Sequence, residues 1–97
     1  MKTEQETIIK LSKHQLIRTT TVTNQIVIRM KPVKSSNIKS IGYDLECKTL
    51  YVRFKSGTLY AYSEVEPKKF LKLLNADSKG GFLNNQIKRE HKHKRMI

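Results

Sequence analysis

The sequence predicts an α+β fold: a small antiparallel β-meander followed by two short α-helices, with an N-terminal β-hairpin-like extension. Three observations carry this reading. The segments Thr49-Leu-Tyr-Val-Arg-Phe and Thr58-Leu-Tyr-Ala-Tyr alternate apolar and polar residues around a Ser56-Gly57 turn. Pro67 opens a stretch with helical spacing of its apolar residues. The 97-residue chain is 37% hydrophobic and 29% charged, enough apolar content for one modest core.

The front of the chain, residues 1–29, admits two readings. Thr3 to Glu6 fits a capping box leading into a short helix through Ile8, Ile9 and Leu11. The β-branched content around Val22 and Ile26 to Ile28, with Asn24 as turn material, instead favours a hairpin over residues 15 to 30. Pro32 and the polar run after it then read as a connection. Ile41-Gly-Tyr-Asp is a short strand, and the two alternating segments complete the meander.

The turn sets which side chains share a face. A two-residue type I′ turn needs positive φ at both Ser56 and Gly57, whereas a three-residue loop with a Gly bulge needs it only at Gly57. The three-residue loop is favoured, placing Leu50, Val52, Phe54, Tyr60 and Tyr62 on one face and Tyr51, Arg53, Lys55, Leu59 and Ala61 on the other. The alternative register would put Tyr51, Tyr60 and Tyr62 beside Arg53 and Lys55 as a base-stacking platform. In either register Tyr51 beside Arg53 is an outward-facing stacking candidate.

At 100° per residue, Phe70, Leu71, Leu73 and Leu74 fall in one arc of the first helix, while Lys68, Lys69 and Lys72 occupy the opposite arc. A second helix is expected from Ser78, with Phe82, Leu83 and Ile87 on one side. Residues 91–97 read as a fraying basic tail.

Charge bounds the function. Twenty Lys and Arg against eight Asp and Glu give +12, a balance that suits a polyanionic partner. Nucleic acid is favoured, with an acidic protein surface as the alternative. One cysteine, Cys47, and no charged-then-apolar leader point to a reducing, cytoplasmic setting, and no apolar run approaches a bilayer-spanning length, so no membrane role is expected.

The ordered set Lys34-Ser-Ser-Asn-Ile, Ile41-Gly-Tyr-Asp, Thr49-Leu-Tyr-Val-Arg-Phe-x-x-Gly, Tyr60-Ala-Tyr, Val65-x-Pro and Ala76-x-Ser-Lys-Gly-x-Phe-x-Asn-x-x-Ile-Lys resembles the KTSC domain. That family is named for the C-terminus of some lysyl-tRNA synthetases and also occurs as small stand-alone proteins. The resemblance covers residues 30–90, with the central Tyr-x-Tyr at 60 and 62. It implies a compact strand-rich unit followed by helices and a suggested role in RNA binding. Residues 1–29 precede the family pattern.

The candidate nucleic-acid contacts are Tyr51, Arg53, Lys55, Lys68, Lys69, Lys72, Ser78, Lys79, Gly80, Lys88 and Arg89. With Ser78 as N-cap, the amides of Lys79, Gly80 and Gly81 form a candidate anion site, although an ordinary capped turn accounts for the same residues. The lysine face tracks a phosphate backbone or is simply the solvated side of its helix. Asp44, Glu46, Glu64 and Glu66 collect at the hairpin's open end.

No motif specifies a reaction, so the chain is expected not to be an enzyme and to need no cofactor or metal. His14, His91 and His93 lie among cations that repel a metal ion, and Cys47 has no evident His partner. Two functions follow: a non-enzymatic module binding RNA or single strands, or a small adaptor or inhibitor that docks its cationic surface on a partner protein.

Overall fold

β-Branched and aromatic residues concentrate in the central strand Thr49–Phe54, and hydrogen-bonded neighbours in the sheet are also neighbours in the chain. The computed structural model describes residues 7–12 and 25–97. Its strands are β1 (Thr7–Ser12), β2 (Gln25–Pro32), β3 (Ile38–Asp44), β4 (Thr49–Phe54), β5 (Leu59–Tyr62) and β6 (His93–Arg95), in spatial order β1-β2-β3-β4-β5-β6. All pairings are antiparallel. Helix α1 (Pro67–Leu74) and the short turn α2 (Lys79–Phe82), which widens into a π-helical turn over Leu83–Lys88, fall between β5 and β6.

The three-residue hairpin loop is present. Gly57 has φ 100°, its N–H donates to Phe54 O at 2.8 Å, and the Phe54 N–H donates to Thr58 O at 2.8 Å. Val52 therefore faces Tyr60 and Leu50 faces Tyr62, as the glycine-bulge argument expects. In β3 the register shifts between Ile38 and Ser40. This irregularity lets Ile38 and Ile41, three positions apart, enter the same core despite the two-residue period of a strand.

The sheet has two covered faces. On one, Ile38, Ile41, Leu50, Val52 and Tyr62 pack with Val65, Leu73, Leu83 and Ile87 from the helical region. Pro67 supplies the first helical position of α1, and Phe70 stacks on Tyr43 with ring centroids 4.5 Å apart. The Tyr43 hydroxyl donates to the Val65 carbonyl. Leu71 departs from the expected apolar arc: it is 55% exposed, because the helix seats on Leu73 and Phe70 and leaves the edge of a 160° arc in solvent.

On the second face Ile28, Met30, Tyr51 and Leu59 form a separate cluster flanked by Ala61 and Met96. β2 reaches it by pairing with β3 only at Lys31 opposite Ile41 and Pro32 opposite Ser40. Its preceding residues pass over Gly42, where an added Cβ would lie 2.6 Å from Met30 Sδ and 2.9 Å from the Arg29 carbonyl oxygen. Glycine permits that approach because it has no Cβ.

Three expectations need correction. Thr7–Ser12 is a strand, not a short helix, and pairs with β2 from Thr7 opposite Met30 to Ser12 opposite Gln25. The expected hairpin over 15–30 has its second strand within β2, while residues 13–24 lie outside the described residues. The fraying tail is instead an edge strand: His93 pairs with Tyr62 and Arg95 with Tyr60, and the Met96 N–H donates to Leu59 O at 2.7 Å. The exposed edge of β5 captures it, since unpaired strand groups recruit a partner whatever its side-chain charge.

Burial holds the Tyr62 hydroxyl well above its ordinary range, to about 12, with Tyr60 adding a smaller push. An unfolded tyrosine ionises near pH 10 and the native one later. The stability this group contributes is therefore intact below pH 10 and lost as pH rises from there through about 12. The urea midpoint is expected to fall over that window, and Tyr62→Phe should flatten the fall; an unchanged alkaline slope in the variant would refute this assignment.

Candidate nucleic-acid interface

The hairpin that orders the sheet also decides which rings meet solvent. Leu50, Val52 and Tyr62 are buried under the helical region, but Phe54 and Tyr60, nearest the turn, are only half-buried. Their rings meet edge to face at 5.9 Å and 81°. β6 extends the aromatic surface: exposed His93 lies 5.7 Å from Tyr60 and 5.4 Å from Tyr62, centroid to centroid. Arg95 pairs with Tyr60 across the same strands and is exposed.

Beside these rings runs a cleft of about 410 Å³, lined by Ser36, Asn37, Phe54, Lys55, Ser56, Thr58 and Tyr60. Its two walls are tied together. The Lys55 N–H donates to the Asn37 carbonyl at 2.9 Å, and Ile38 pairs with Phe54. The Ser35 hydroxyl donates to Asn37 Oδ1 at 3.2 Å and accepts from the Ile38 N–H at 3.2 Å, fixing the β2–β3 connection. Ser56 and Thr58 share a hydroxyl hydrogen bond of 3.2 Å. The result is an aromatic shelf and a row of neutral donors and acceptors, with exposed Lys55 as the charged residue of the lining.

The opposite end of the sheet carries the acids. Asp44 Oδ1 accepts from the Glu46 and Cys47 N–H groups at 3.0 and 3.2 Å, and Lys48 pairs with Glu66 at 3.2 Å. The Val65 N–H donates to Lys48 O, bringing Glu64 and Glu66 beside the β3–β4 turn. Negative charge thus gathers away from the hairpin tip.

Several sequence-derived candidates have other duties. Tyr51, expected to face outward, is 2% exposed beneath Ile28 and Met30, because β2 covers the face that the sequence left open. Arg53 is half-buried and donates to Gly57 O at 3.2 Å, bracing the turn. Lys69 is not part of a free cationic face: its ammonium contacts Glu90 Oε1 at 2.7 Å, Gln86 O at 3.2 Å and His91 Nε2 at 2.9 Å. Glu90 lies in the segment after the π turn, out of view of a helix-wheel argument. Hydrogen bonding to Lys69, and secondarily its charge, hold the Glu90 carboxyl below its ordinary range. His91 Nδ1 lies 2.9 Å from Ser63 O, joining this segment to the end of β5.

Ser78 is the expected N-cap, its hydroxyl accepting from the Gly81 N–H at 3.1 Å. That bond consumes an amide the anion reading needed. Lys79 folds back onto Ala76 O at 3.3 Å, and a Cβ on Gly80 would lie 2.7 Å from Asn37 Oδ1. The segment is a capped turn packed on the β2–β3 connection. Ser78→Ala should lower stability by about 1 kcal/mol in urea unfolding, the usual worth of such a cap; a change under a few tenths would mean that the hydroxyl is not structurally engaged.

Lys55 is the sequence candidate that reaches the cleft. Lys68 and Lys72 are exposed along a second cleft of about 430 Å³ between α1 and Phe82 and Gln86, and Lys88 and Arg89 are exposed at the end of the π turn. Phe54, Tyr60, Ser36, Asn37, His93 and Arg95 were not candidates in the favoured register. Their signal was in the sequence, since the glycine-bulge register sets Phe54 and Tyr60 at the tip, but the reach of the helices over them was not.

A family model, the KTSC domain, matches residues 34–91. The chain belongs to the KTSC family. A KTSC domain protein from Yersinia pestis has a crystal structure similar to this chain, with a TM-score of 0.69 and 31% identity over 72% of this chain and 99% of that one. A protein of Tsukamurella paurometabola is 46% identical over 59 residues, 61% of this chain and 88% of the relative. An uncharacterized protein of Stutzerimonas stutzeri is 44% identical over 61% of this chain and 83% of its own length. The KTSC domain is also similar to part of a lysine–tRNA ligase of Nostoc punctiforme, 37% identical over 69% of this chain but 12% of the ligase.

Proposed function

We propose that this KTSC domain is a non-enzymatic nucleic-acid-binding module, with RNA the favoured ligand, and that it binds through the hairpin-tip surface rather than through the helix N-terminus. The observation that carries this reading is the grouping of half-buried Phe54 and Tyr60 with Lys55 at the hairpin tip, away from the acids, flanked on β6 by exposed Arg95 opposite Tyr60 and by His93 against the Tyr60 ring. Rings and cations at close quarters suit bases and phosphates together: every base offers a π-face, and each neutralised phosphate releases counterions. The net charge of +12 adds long-range attraction for a polyanion. The likeness to part of a lysine–tRNA ligase supports RNA over DNA.

Fluorescence anisotropy with a labelled RNA oligonucleotide tests the reading. Binding is expected at low salt, weakening linearly in log–log form with a slope of about −0.7 for each single-strand phosphate contacted. No binding at low ionic strength would overturn it.

A further inference from the structure

We infer that the cleft beside the hairpin tip takes one unpaired, unstacked nucleobase from a single-stranded segment, a deepening that rests on the nucleic-acid reading above. The cleft, about 410 Å³, lies near the low end of the roughly 300–1,000 Å³ typical of small-ligand pockets, a size for one nucleotide rather than a duplex groove contact. One wall is aromatic: Phe54 and Tyr60 meet edge to face, so the pair offers a flat surface beside a projecting ring edge. The other wall is polar and uncharged, formed by Ser36 and Asn37, with Ser56 and Thr58 at the turn.

Chemistry at the cleft separates a base from other anionic ligands. A free phosphate or an acidic peptide would call for several converging cations, yet Lys55 is the one charged side chain among the lining residues. Hydroxyls and an amide instead match the mixed donors and acceptors of a base edge. Lys55 then stands where the attached phosphate leaves the cleft, and Arg95, level with Tyr60, serves the neighbouring nucleotide. The site is formed before binding, since the Lys55 N–H to Asn37 O bond and the Ile38–Phe54 pairing already hold its walls together. A base inside a duplex cannot reach such a shelf without unpairing and unstacking.

The test uses the full chain with a 12-nucleotide RNA carrying one 2-aminopurine, as a single strand and annealed to its complement. Stacking should quench the probe on binding, and the single strand should bind at least 10-fold more tightly than the duplex. Tyr60→Leu and Phe54→Leu should each weaken single-strand binding on the order of 10-fold while leaving the salt slope unchanged, because they remove stacking and no phosphate contact. Tyr60→Phe, which keeps the ring and guards against misfolding, should retain affinity. Equal affinity for single strand and duplex, or wild-type binding by the leucine variants, would overturn the base site while leaving nucleic-acid binding in place. Failure of the wild-type chain to bind either RNA at low salt would overturn both.

Discussion

Replacing Lys55 and Arg95 together by glutamate is expected to weaken RNA binding on the order of 10-fold or more and to reduce the magnitude of the log–log salt slope by about 1.4, about 0.7 for each lost single-strand phosphate contact. Both side chains are exposed and neither pairs with an Asp or Glu among the described residues; Arg95 Nε donates to Ile97 O at 3.1 Å, a contact confined to the end of the chain, so the change should leave the fold intact. Lys68→Glu with Lys72→Glu alters the net charge by the same amount from α1. Anisotropy titrations of the two double variants compare location with bulk charge. The tip variant should lose much more. Equal losses would mean that +12 acts as a diffuse field and that the hairpin tip is no interface.

Gly42→Val is expected to destabilise the domain by about 1–3 kcal/mol, the cost of forcing side-chain volume into a packed interior. The clash includes the Arg29 carbonyl, 2.9 Å from a Cβ at this position, so rotating a flexible side chain does not relieve it. The damage should be local: β2 lifts from the second face, and Tyr51 and Leu59 lose the cover of Ile28 and Met30. Urea unfolding measures the loss, and hydrogen exchange over β4 and β5 reports its place. Undiminished stability would show that β2 does not need its close approach over Gly42. Because Phe54 and Tyr60 pack with the opposite cluster, RNA affinity at low denaturant should change little.

The central hairpin was legible because local chemistry specifies it. Only Gly57 takes the positive φ of the bulge, and once that residue is fixed the parity of every side chain on β4 and β5 follows. Pro67 and Ser78 marked two helix starts for equally local reasons: one has no N–H to lose, and the other supplies a capping oxygen. His93, Lys94 and Arg95 carry no strand pattern, only a short basic run, so the sequence predicts a fraying tail there. Their strand exists because β5 offers an unpaired edge, a property of the assembled sheet.

The candidate interface divides along the same line. By itself the sequence determined the excess of positive charge, the alternating rings around a glycine turn, and which rings share a face. It could not determine cover. The sequence turns Tyr51 outward and, in the favoured register, Tyr60 inward; β2 buries the first, while the helical cover leaves the second only half-buried. Likewise Lys69 stood on a cationic helix face until Glu90 and His91 folded against it. Side-chain parity and caps are set within a few residues along the chain, whereas exposure depends on what segments tens of residues away pack on top, and only the tertiary structure decides that.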